Sequence, residues 1–268
     1  MSHPVCVITG GSSGIGLALA HRYANAGYAV AITGRDASAL EIAATALRAY
    51  GTPVLALPGN VALLADCQAL AATVWAQLGP ASVVVANAGI SMRALFRDAD
   101  MAVIEQLMQV NFLGAVYTAK AFLPQLEQTK GSLVGVSSIA GYRGLPARTG
   151  YSASKAALQA FLESLRAEYY GTGLHFLTAC PGFTASAIRN RALNAQGLAQ
   201  GESPLEEGKI MQPAAVADAI YKAQQARRRT LVLTRQGRLT VWLNKWAPGW
   251  MDKLVYQHFR KEKNSPLA

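Results

Sequence analysis

The chain has 268 residues, of which 51% are hydrophobic and 15% charged, with 24 glycines and a formal net charge of +10. That balance supplies apolar material for a large core, and the glycines show no collagen-like period, so a fibrous or broadly disordered protein is excluded and only 263–268 reads as a disordered end. The three cysteines, Cys6, Cys67 and Cys180, are odd in number and lack metal-ligand spacing, which excludes a disulfide framework and an expected metal site and implies a reducing compartment.

Along the chain, Met1–Pro4 leads into an apolar run that meets Gly10 and Gly11 too soon for a signal peptide. No uncharged apolar stretch reaches the roughly 18 residues needed to cross a membrane, so a cytoplasmic protein is expected. Short β-branched runs at 5–9, 29–33, 54–57, 83–86, 132–137, 175–179 and 230–233 predict seven strands. Between them, Ala/Leu-rich segments at 14–26, 37–50, 62–78, 99–128, 151–170 and 213–227 carry helical spacing. Strands alternating with helices of this length build βαβ units with right-handed crossovers. The expected fold is therefore α/β: a Rossmann-type, doubly wound, seven-stranded parallel sheet with helices on both faces. One domain is expected over 1–234, with 235–268 as a helical extension of it. The stretch 184–212, rich in Gly, Asn, Gln and Glu, reads as a mobile excursion with room for one short helix.

Thr9-Gly10-Gly11-Ser12-Ser13-Gly14-Ile15-Gly16 follows the first strand and opens the first helix. Glycines allow a sharp turn and close backbone approach, and a helix N-terminus presents free N–H groups and a positive dipole end to an anion. This is the context of a pyrophosphate cradle. An acidic residue at the end of the second strand would bind the ribose diol of NAD. Here the strand ends Thr33-Gly34-Arg35-Asp36, where Arg35 can offer a planar fork to the 2′-phosphate of NADP. NADPH/NADP+ is the favoured cofactor, with Asp36 keeping NADH as the alternative.

Tyr151-Ser152-Ala153-Ser154-Lys155 begins a predicted helix, and a spacing of four places Tyr151 and Lys155 on one face. A phenol titrates near about 10. A neighbouring ammonium favours the phenolate and brings that value closer to neutral, which suits a general acid or base. Ser138 lies just after the fifth strand, at the carboxyl edge where doubly wound sheets bind ligands, and its hydroxyl can donate to a carbonyl oxygen as charge develops there.

With these residues in place, the sequence resembles the short-chain dehydrogenase/reductase family in its single-domain form, from about Val5 to Leu233. Thr9 to Gly16 matches the family's TGxxxGxG loop, and Asn87-Ala88-Gly89 its NAG motif after the fourth strand. Asn111 matches the helix asparagine that holds the active-site lysine through water. Ser138, Tyr151 and Lys155 match the catalytic Ser and YxxxK pair, and Pro181-Gly182 with Thr184 the PG-x-T segment at the nicotinamide end of the cofactor. The resemblance implies that Tyr151 exchanges a proton with the substrate oxygen, Ser138 orients that oxygen, Lys155 binds the nicotinamide ribose and tunes Tyr151, and Asn111 supports a proton relay. Asn60-Val61 stands where the family often has Asp-Val against the adenine, an exchange of carboxylate for amide.

In the positions that form substrate walls in this family stand Ile139, Tyr142, Leu145, Phe183, Ile188 and Leu193, interspersed with Arg143, Arg148, Arg189 and Arg191. An apolar pocket with a lid suits a hydrophobic carbonyl or alcohol substrate, lipid-like compounds included. The arginines are either partners for an acidic head group or solvated loop charges. The segment 227–268 carries ten Lys/Arg against two Asp/Glu. In it Leu239, Trp242, Leu243 and Trp246 follow helical spacing; Pro248 interrupts, and Trp250, Met251, Leu254 and Val255 suggest a second amphipathic helix. Such a tail folds over the pocket, packs on a partner subunit or lies peripherally on a membrane; it resembles the tails of 3-ketodihydrosphingosine reductase-type members, and no motif supports nucleic acid binding. The long helices at 99–128 and 151–170 are the family's surfaces for a homodimer or homotetramer. The expected activity is NADPH-dependent reduction of a ketone or aldehyde. The rivals are an NAD(P)-linked alcohol dehydrogenase working in oxidation and a non-catalytic NADP-sensing protein, against which the intact Ser138, Tyr151 and Lys155 count.

Overall fold

The structure, a computed structural model, describes residues 3–185, 188–201, 210–262 and 264–267. Among them seven strands form one parallel sheet: β1 (Val5–Thr9), β2 (Ala29–Gly34), β3 (Val54–Pro58), β4 (Ala81–Ala86), β5 (Ser132–Val136), β6 (His175–Cys180) and β7 (Thr230–Val232), ordered β3-β2-β1-β4-β5-β6-β7. β1, β5 and β6 are buried along their whole length, because helices cover both faces of the sheet.

α1 (Gly14–Ala24), α2 (Ala37–Arg48) and α7 (Pro213–Gln225) cover one face, where Leu19, Tyr23, Leu47 and Ile220 meet Ile8, Ile32 and Val85. α3 (Leu64–Leu78), α5 (Gly114–Thr129) and α6 (Thr149–Glu168) cover the other, setting Val74, Phe122, Leu158 and Leu162 against Val7, Val84 and Leu133. The strand order reverses between β1 and β4, so the helices that follow leave to opposite faces and open a crevice at the carboxyl edge. The loops carrying Gly10, Arg35, Asn60, Asn87, Ser138 and Pro181 all leave the sheet at that edge.

Three stretches differ from the sequence expectation. The predicted helix at 99–128 is α4 (Met101–Met108), a π-helical turn (Gln109–Leu113) and α5 in succession. Asn111 lies inside that turn and is buried. In the 184–212 stretch, residues 188–201 form turns and isolated bridges, Met92 with Leu193 and Leu193 with Ala199, with no helix among the described residues. Thr184 bridges to Met211. The lid expected there falls partly on 186–187 and 202–209, which lie outside the described residues.

The third difference is the tail. α8 (Arg235–Trp246) and α9 (Pro248–Arg260) break at Pro248 as expected and fold back onto the loop between β5 and α6. Met251, Val255 and Phe259 are buried against Leu145, Leu243 and Leu267. Arg143 donates to Asn244 Oδ1 at 3.1 Å and to Asp252, and Asn244 Nδ2 donates to the Tyr142 carbonyl at 2.9 Å. The expected disorder at 263–268 is corrected for 264–267: Ser265 Oγ donates to the Phe259 carbonyl at 2.7 Å and Arg93 to that of Asn264 at 3.0 Å. Lys263 and Ala268 lie outside the described residues. Of the first apolar stripe in the tail only Leu243 turns inward; Leu239, Trp242 and Trp246 are 54%, 58% and 69% exposed.

Candidate active site

The β1–α1 turn is shaped by two left-handed glycines, Gly10 at φ +64° and Gly14 at φ +54°. Gly16 has no room for a side chain, since a Cβ there would sit 2.1 Å from the Gly10 carbonyl oxygen and 2.5 Å from Asn87 Nδ2. Ser13 caps α1 by backbone geometry alone, without a side-chain hydrogen bond, so the helix N–H groups behind Ser13 keep their capacity for an anion. Thr9 and Asn87 lace this turn to the β4 loop. Thr9 Oγ1 accepts from the amides of Asn87 and Ala88 at 3.0 Å each, and Asn87 Nδ2 donates to the carbonyls of Thr9 at 2.9 Å and Gly10 at 3.2 Å. A cradle of this shape, closed to a Cβ, fits a dinucleotide pyrophosphate.

At the next loop Arg35 and Asp36 are both exposed. The Asp36 carboxylate accepts from the Ala39 amide at 3.0 Å as the N-cap of α2, whereas Ser12 Oγ lies 3.6 Å from where a Gly34 Cβ would be. Ser12 therefore approaches Gly34 beside the cradle while Asp36 is engaged with the helix behind it. After β3, Asn60 Oδ1 accepts from the Ala62 amide at 3.1 Å and the Asn60 amide donates to Asp66 at 2.8 Å. The amide side chain thus shapes its own loop, and Val61 is buried behind Gly114.

Ser138 follows β5 by two residues and caps a short 3-10 turn, its Oγ accepting from the Ala140 amide at 3.1 Å. α6 starts at Thr149, so Tyr151 lies in its first turn, at the positive end of the helix dipole. The Ser138 hydroxyl is near enough to the Tyr151 phenol to favour its ionisation. Lys155 Nζ stands 5.9 Å from the centre of the Tyr151 ring and donates to the Val136 carbonyl at 2.8 Å. Asn111 accepts from the Ile90 amide at 2.8 Å and donates to the Ile90 carbonyl and to Ser154 Oγ, each at 3.0 Å. On the β6 side, the Pro181 carbonyl accepts from the Ile139 amide at 3.3 Å, and Thr184 Oγ1 donates to the Gly182 carbonyl at 3.1 Å. Every predicted site residue thus borders the same sheet edge.

The electrostatics differ from the sequence expectation in one respect. Burial pushes the Tyr151 phenol above its ordinary value; the Ser138 hydroxyl and the Arg148 guanidinium pull the other way, and Cys180 adds to the rise. Lys155 does not offset this, because burial drives its own ammonium down to about 8. The phenol therefore holds its proton at neutral pH, as a general acid must.

Several contributors were not visible in the motifs. Ser137 Oγ donates to the Lys155 carbonyl at 2.9 Å and accepts from Gln159 at 3.0 Å, fixing the helix turn beneath the lysine. Cys180 is a buried thiol whose ionisation burial pushes up to about 12. Of the four arginines read as head-group partners or solvated charges, Arg143 and Arg148 bond to the tail, and Arg189 donates to the Thr184 carbonyl at 2.7 Å. The helical spacing of three between Arg148 and Tyr151 was the one signal that could have singled Arg148 out. A cavity of about 600 Å³ opens between the 140–146 loop, α6 and α9; its lining lacks Ser138, Tyr151 and Lys155, so it is distinct from this site.

The family model for short chain dehydrogenase matches residues 4–197. The chain belongs to the short-chain dehydrogenase/reductase family. It is 34% identical to dehydrogenase/reductase SDR family member 7B of Bos taurus over 97% of this chain and 83% of that protein. It is 32% identical to 11-beta-hydroxysteroid dehydrogenase A of Arachis hypogaea over 93% and 74%. Among solved structures, an alcohol dehydrogenase of Thermococcus sibiricus complexed with 5-hydroxy-NADP superposes with a TM-score of 0.77 at 27% identity, covering 87% of this chain and 96% of that one. A short-chain dehydrogenase of Sphingobium yanoikuyae in complex with NADPH gives 0.78 at 25%, covering 93% and 95%. As a short-chain dehydrogenase/reductase the chain is an oxidoreductase acting between CH–OH and C=O, with a nicotinamide dinucleotide as cofactor.

Gly16→Ala should therefore abolish dinucleotide binding and cost roughly 1–3 kcal/mol of stability through overpacking. NADPH fluorescence titration and thermal melting read the two effects; retained binding would show that the turn is not the cradle.

Proposed function

We propose that this chain is an NADPH-dependent reductase of hydrophobic ketones or aldehydes, with Tyr151 as the acid that delivers a proton to the carbonyl oxygen. The observation that carries this reading is Tyr151, with Lys155 Nζ 5.9 Å from its ring centre and the Ser138 hydroxyl acting on its phenol, at the sheet edge that also bears the Gly10–Gly16 cradle. The bound nicotinamide supplies the hydride. Ser138 orients the substrate oxygen and donates to it as negative charge develops. Lys155 holds the nicotinamide ribose and, with its own pKa near 8, is poised to recharge the phenol, while Asn111 anchors the relay from the π-helical turn. Ser12, Ser13, Gly14, Ile15 and Gly16 hold the pyrophosphate; Asn60, Val61, Asn87, Ala88 and Gly89 border the adenosine half, and Pro181, Gly182 and Thr184 the nicotinamide.

The preference for NADPH is supported by the division of labour after β2, where Asp36 caps α2 and its neighbour Arg35 is exposed. A hydrophobic substrate is supported by the apolar surroundings of Tyr151, which packs with Met92, Leu107, Ile90 and Leu193, and by the hydroxysteroid in the name of the Arachis hypogaea relative. Assembly as a homodimer or homotetramer is supported by the outer faces of the π turn and α6, where half-buried Phe112 and Phe161 meet edge to face at 6.3 Å. Peripheral contact with a membrane is supported by Leu239, Trp242, Trp246 and Trp250, exposed beside Arg238, Lys245 and Lys253. No helix among the described residues is long and apolar enough to cross one.

With NADPH and a panel of apolar ketones, the purified protein should consume NADPH, and Tyr151→Phe should lower kcat about 10²–10⁴-fold while leaving NADPH affinity intact; turnover surviving in that variant would refute the role of the phenol. Arg35→Ala should weaken NADPH roughly 10–100-fold, the loss of a charge-assisted hydrogen bond, and leave NADH nearly unchanged. Equal weakening of both cofactors would overturn the NADPH assignment. Co-sedimentation with vesicles containing phosphatidylserine should be salt-sensitive and should fall when Trp242, Trp246 and Trp250 are together replaced by Ala; identical pelleting of the triple variant would remove the membrane reading.

A further inference from the structure

The tail brings a charge to the edge of the active site. Arg93 follows the β4 loop next to Met92, which packs in the same cluster as Tyr151, and Arg148 stands at the entry to α6, three residues before Tyr151. Glu262, two residues beyond α9, reaches both. Its two carboxylate oxygens each accept from Arg148 Nη2 at 3.0 Å, and one lies 3.5 Å from Arg93 Nε. The side chains are 4% exposed for Glu262, 6% for Arg93 and 11% for Arg148. Phe259 lies under the Arg148 guanidinium, 4.6 Å from ring centre to carbon, so the arginine is held from two sides.

This cluster is not the tail's sole attachment. Met251, Val255, Phe259 and Leu267 already make an apolar contact with Leu145, and withdrawing a carboxylate and two guanidiniums from water is unfavourable unless each is paired. The cluster includes the one arginine whose charge acts on the Tyr151 phenol. The groups facing Tyr151 are the Ser138 hydroxyl from the loop after β5, Lys155 from its own helix, Cys180 from β6 and Arg148 from the loop before α6, with Arg93 and Glu262 behind Arg148.

We propose that Glu262 is a positioning residue for the Tyr151 chemistry: delivered by the folded-back tail, it fixes Arg148 at the rim of the cleft and offsets one of the two arginine charges there. The proposal rests on the reading of Tyr151 as the proton donor. The tail is then part of the active-site electrostatics as well as its outer wall. Without the Glu262 charge, Arg148 acts on the phenol unopposed and favours the phenolate, so the acid loses its proton at lower pH.

The test measures Tyr151 ionisation in two ways, in the full-length protein and in Glu262→Gln. The first is the pH dependence of kcat/KM for ketone reduction. The second is the phenolate absorbance between about pH 7 and about pH 11, with the signal of the matching Tyr151→Phe protein subtracted, which needs no turnover. In Glu262→Gln both curves should move to lower pH by roughly half to one unit, with NADPH affinity unchanged because the arginines that Glu262 binds lie outside the cradle. Since removing one partner of a buried pair can loosen the tail, a second variant, Arg148→Gln with Glu262→Gln, restores the net charge of the cluster and should bring both curves back toward the parent. Curves of Glu262→Gln that superimpose on the parent, with or without a lower rate, would reduce Glu262 to a packing residue. A double variant as displaced as the single one would overturn the electrostatic account. A parent protein that shows no turnover while its phenol titration still responds to Glu262 would overturn the reductase reading and leave the coupling standing.

Discussion

Lys155 sets the terms for the rest of the site. Its side chain is almost wholly removed from water, its ammonium donates to a backbone carbonyl at the end of β5, and burial drives its pKa down to about 8 with no carboxylate among the described residues opposing the shift. An amine placed this way contributes little to stability, and it stands near the positive end of α6 besides. The surroundings hold it in place all the same. Ser137 binds the lysine's own carbonyl, and Gln159 binds Ser137 and the Ser138 carbonyl, so β5 and α6 are locked in register around it. A buried titratable group maintained against its electrostatic preference is the mark of a site built for chemistry.

The same constraint accounts for the interruption between α4 and α5. A Cβ on Gly89 would lie 3.1 Å from Asn111 Oδ1 and 3.3 Å from Lys155 Nζ, so the glycine is what lets both groups approach the β4 loop. A regular helix through 109–113 would carry Asn111 past that loop. The π turn, with its wider hydrogen-bonding step, lets the amide close a pair of bonds with Ile90 and a third with Ser154, whose hydroxyl in turn donates to the Tyr151 carbonyl at 2.8 Å. The backbone at Tyr151 is thereby tied to the β4 loop, and the β4 loop through Asn87 to the cradle.

What could be read in the sequence was whatever is encoded locally. All seven strands fell where β-branched runs predicted them, with β1 matching residue for residue, because strands covered on both faces write their burial directly into composition. The cradle and the Tyr151–Lys155 pair were legible for the same reason: glycines at fixed offsets and a spacing of four have short-range geometric meaning. The π turn was not, because its cause is the bond between Asn111 and Ile90, twenty-one residues apart. The direction of the Tyr151 shift was misjudged because proximity to an ammonium can be inferred from spacing, whereas the depth at which both groups are buried depends on the whole fold. Asp36 shows the intermediate case. An Asp three residues ahead of a helical amide is a cap signal in its own right, and Asp36 serves as one.

The tail shows why net charge misleads when summed over a segment. Ten basic residues against two acidic ones describes 227–268 as a cationic arm, yet both acids are engaged with arginines of the loop between β5 and α6, Asp252 with Arg143 and Glu262 with Arg148. Those two pairs hold the tail to the body, while α9 buries Met251, Val255 and Phe259 on the same side. With both acids paired to arginines of the body, Trp242, Trp246 and Trp250 stand exposed in a segment whose remaining charges are lysines and arginines. The contacts that seat the tail on Arg143, Leu145 and Arg148 and the aromatic residues left exposed with basic neighbours are thus two consequences of one folding event.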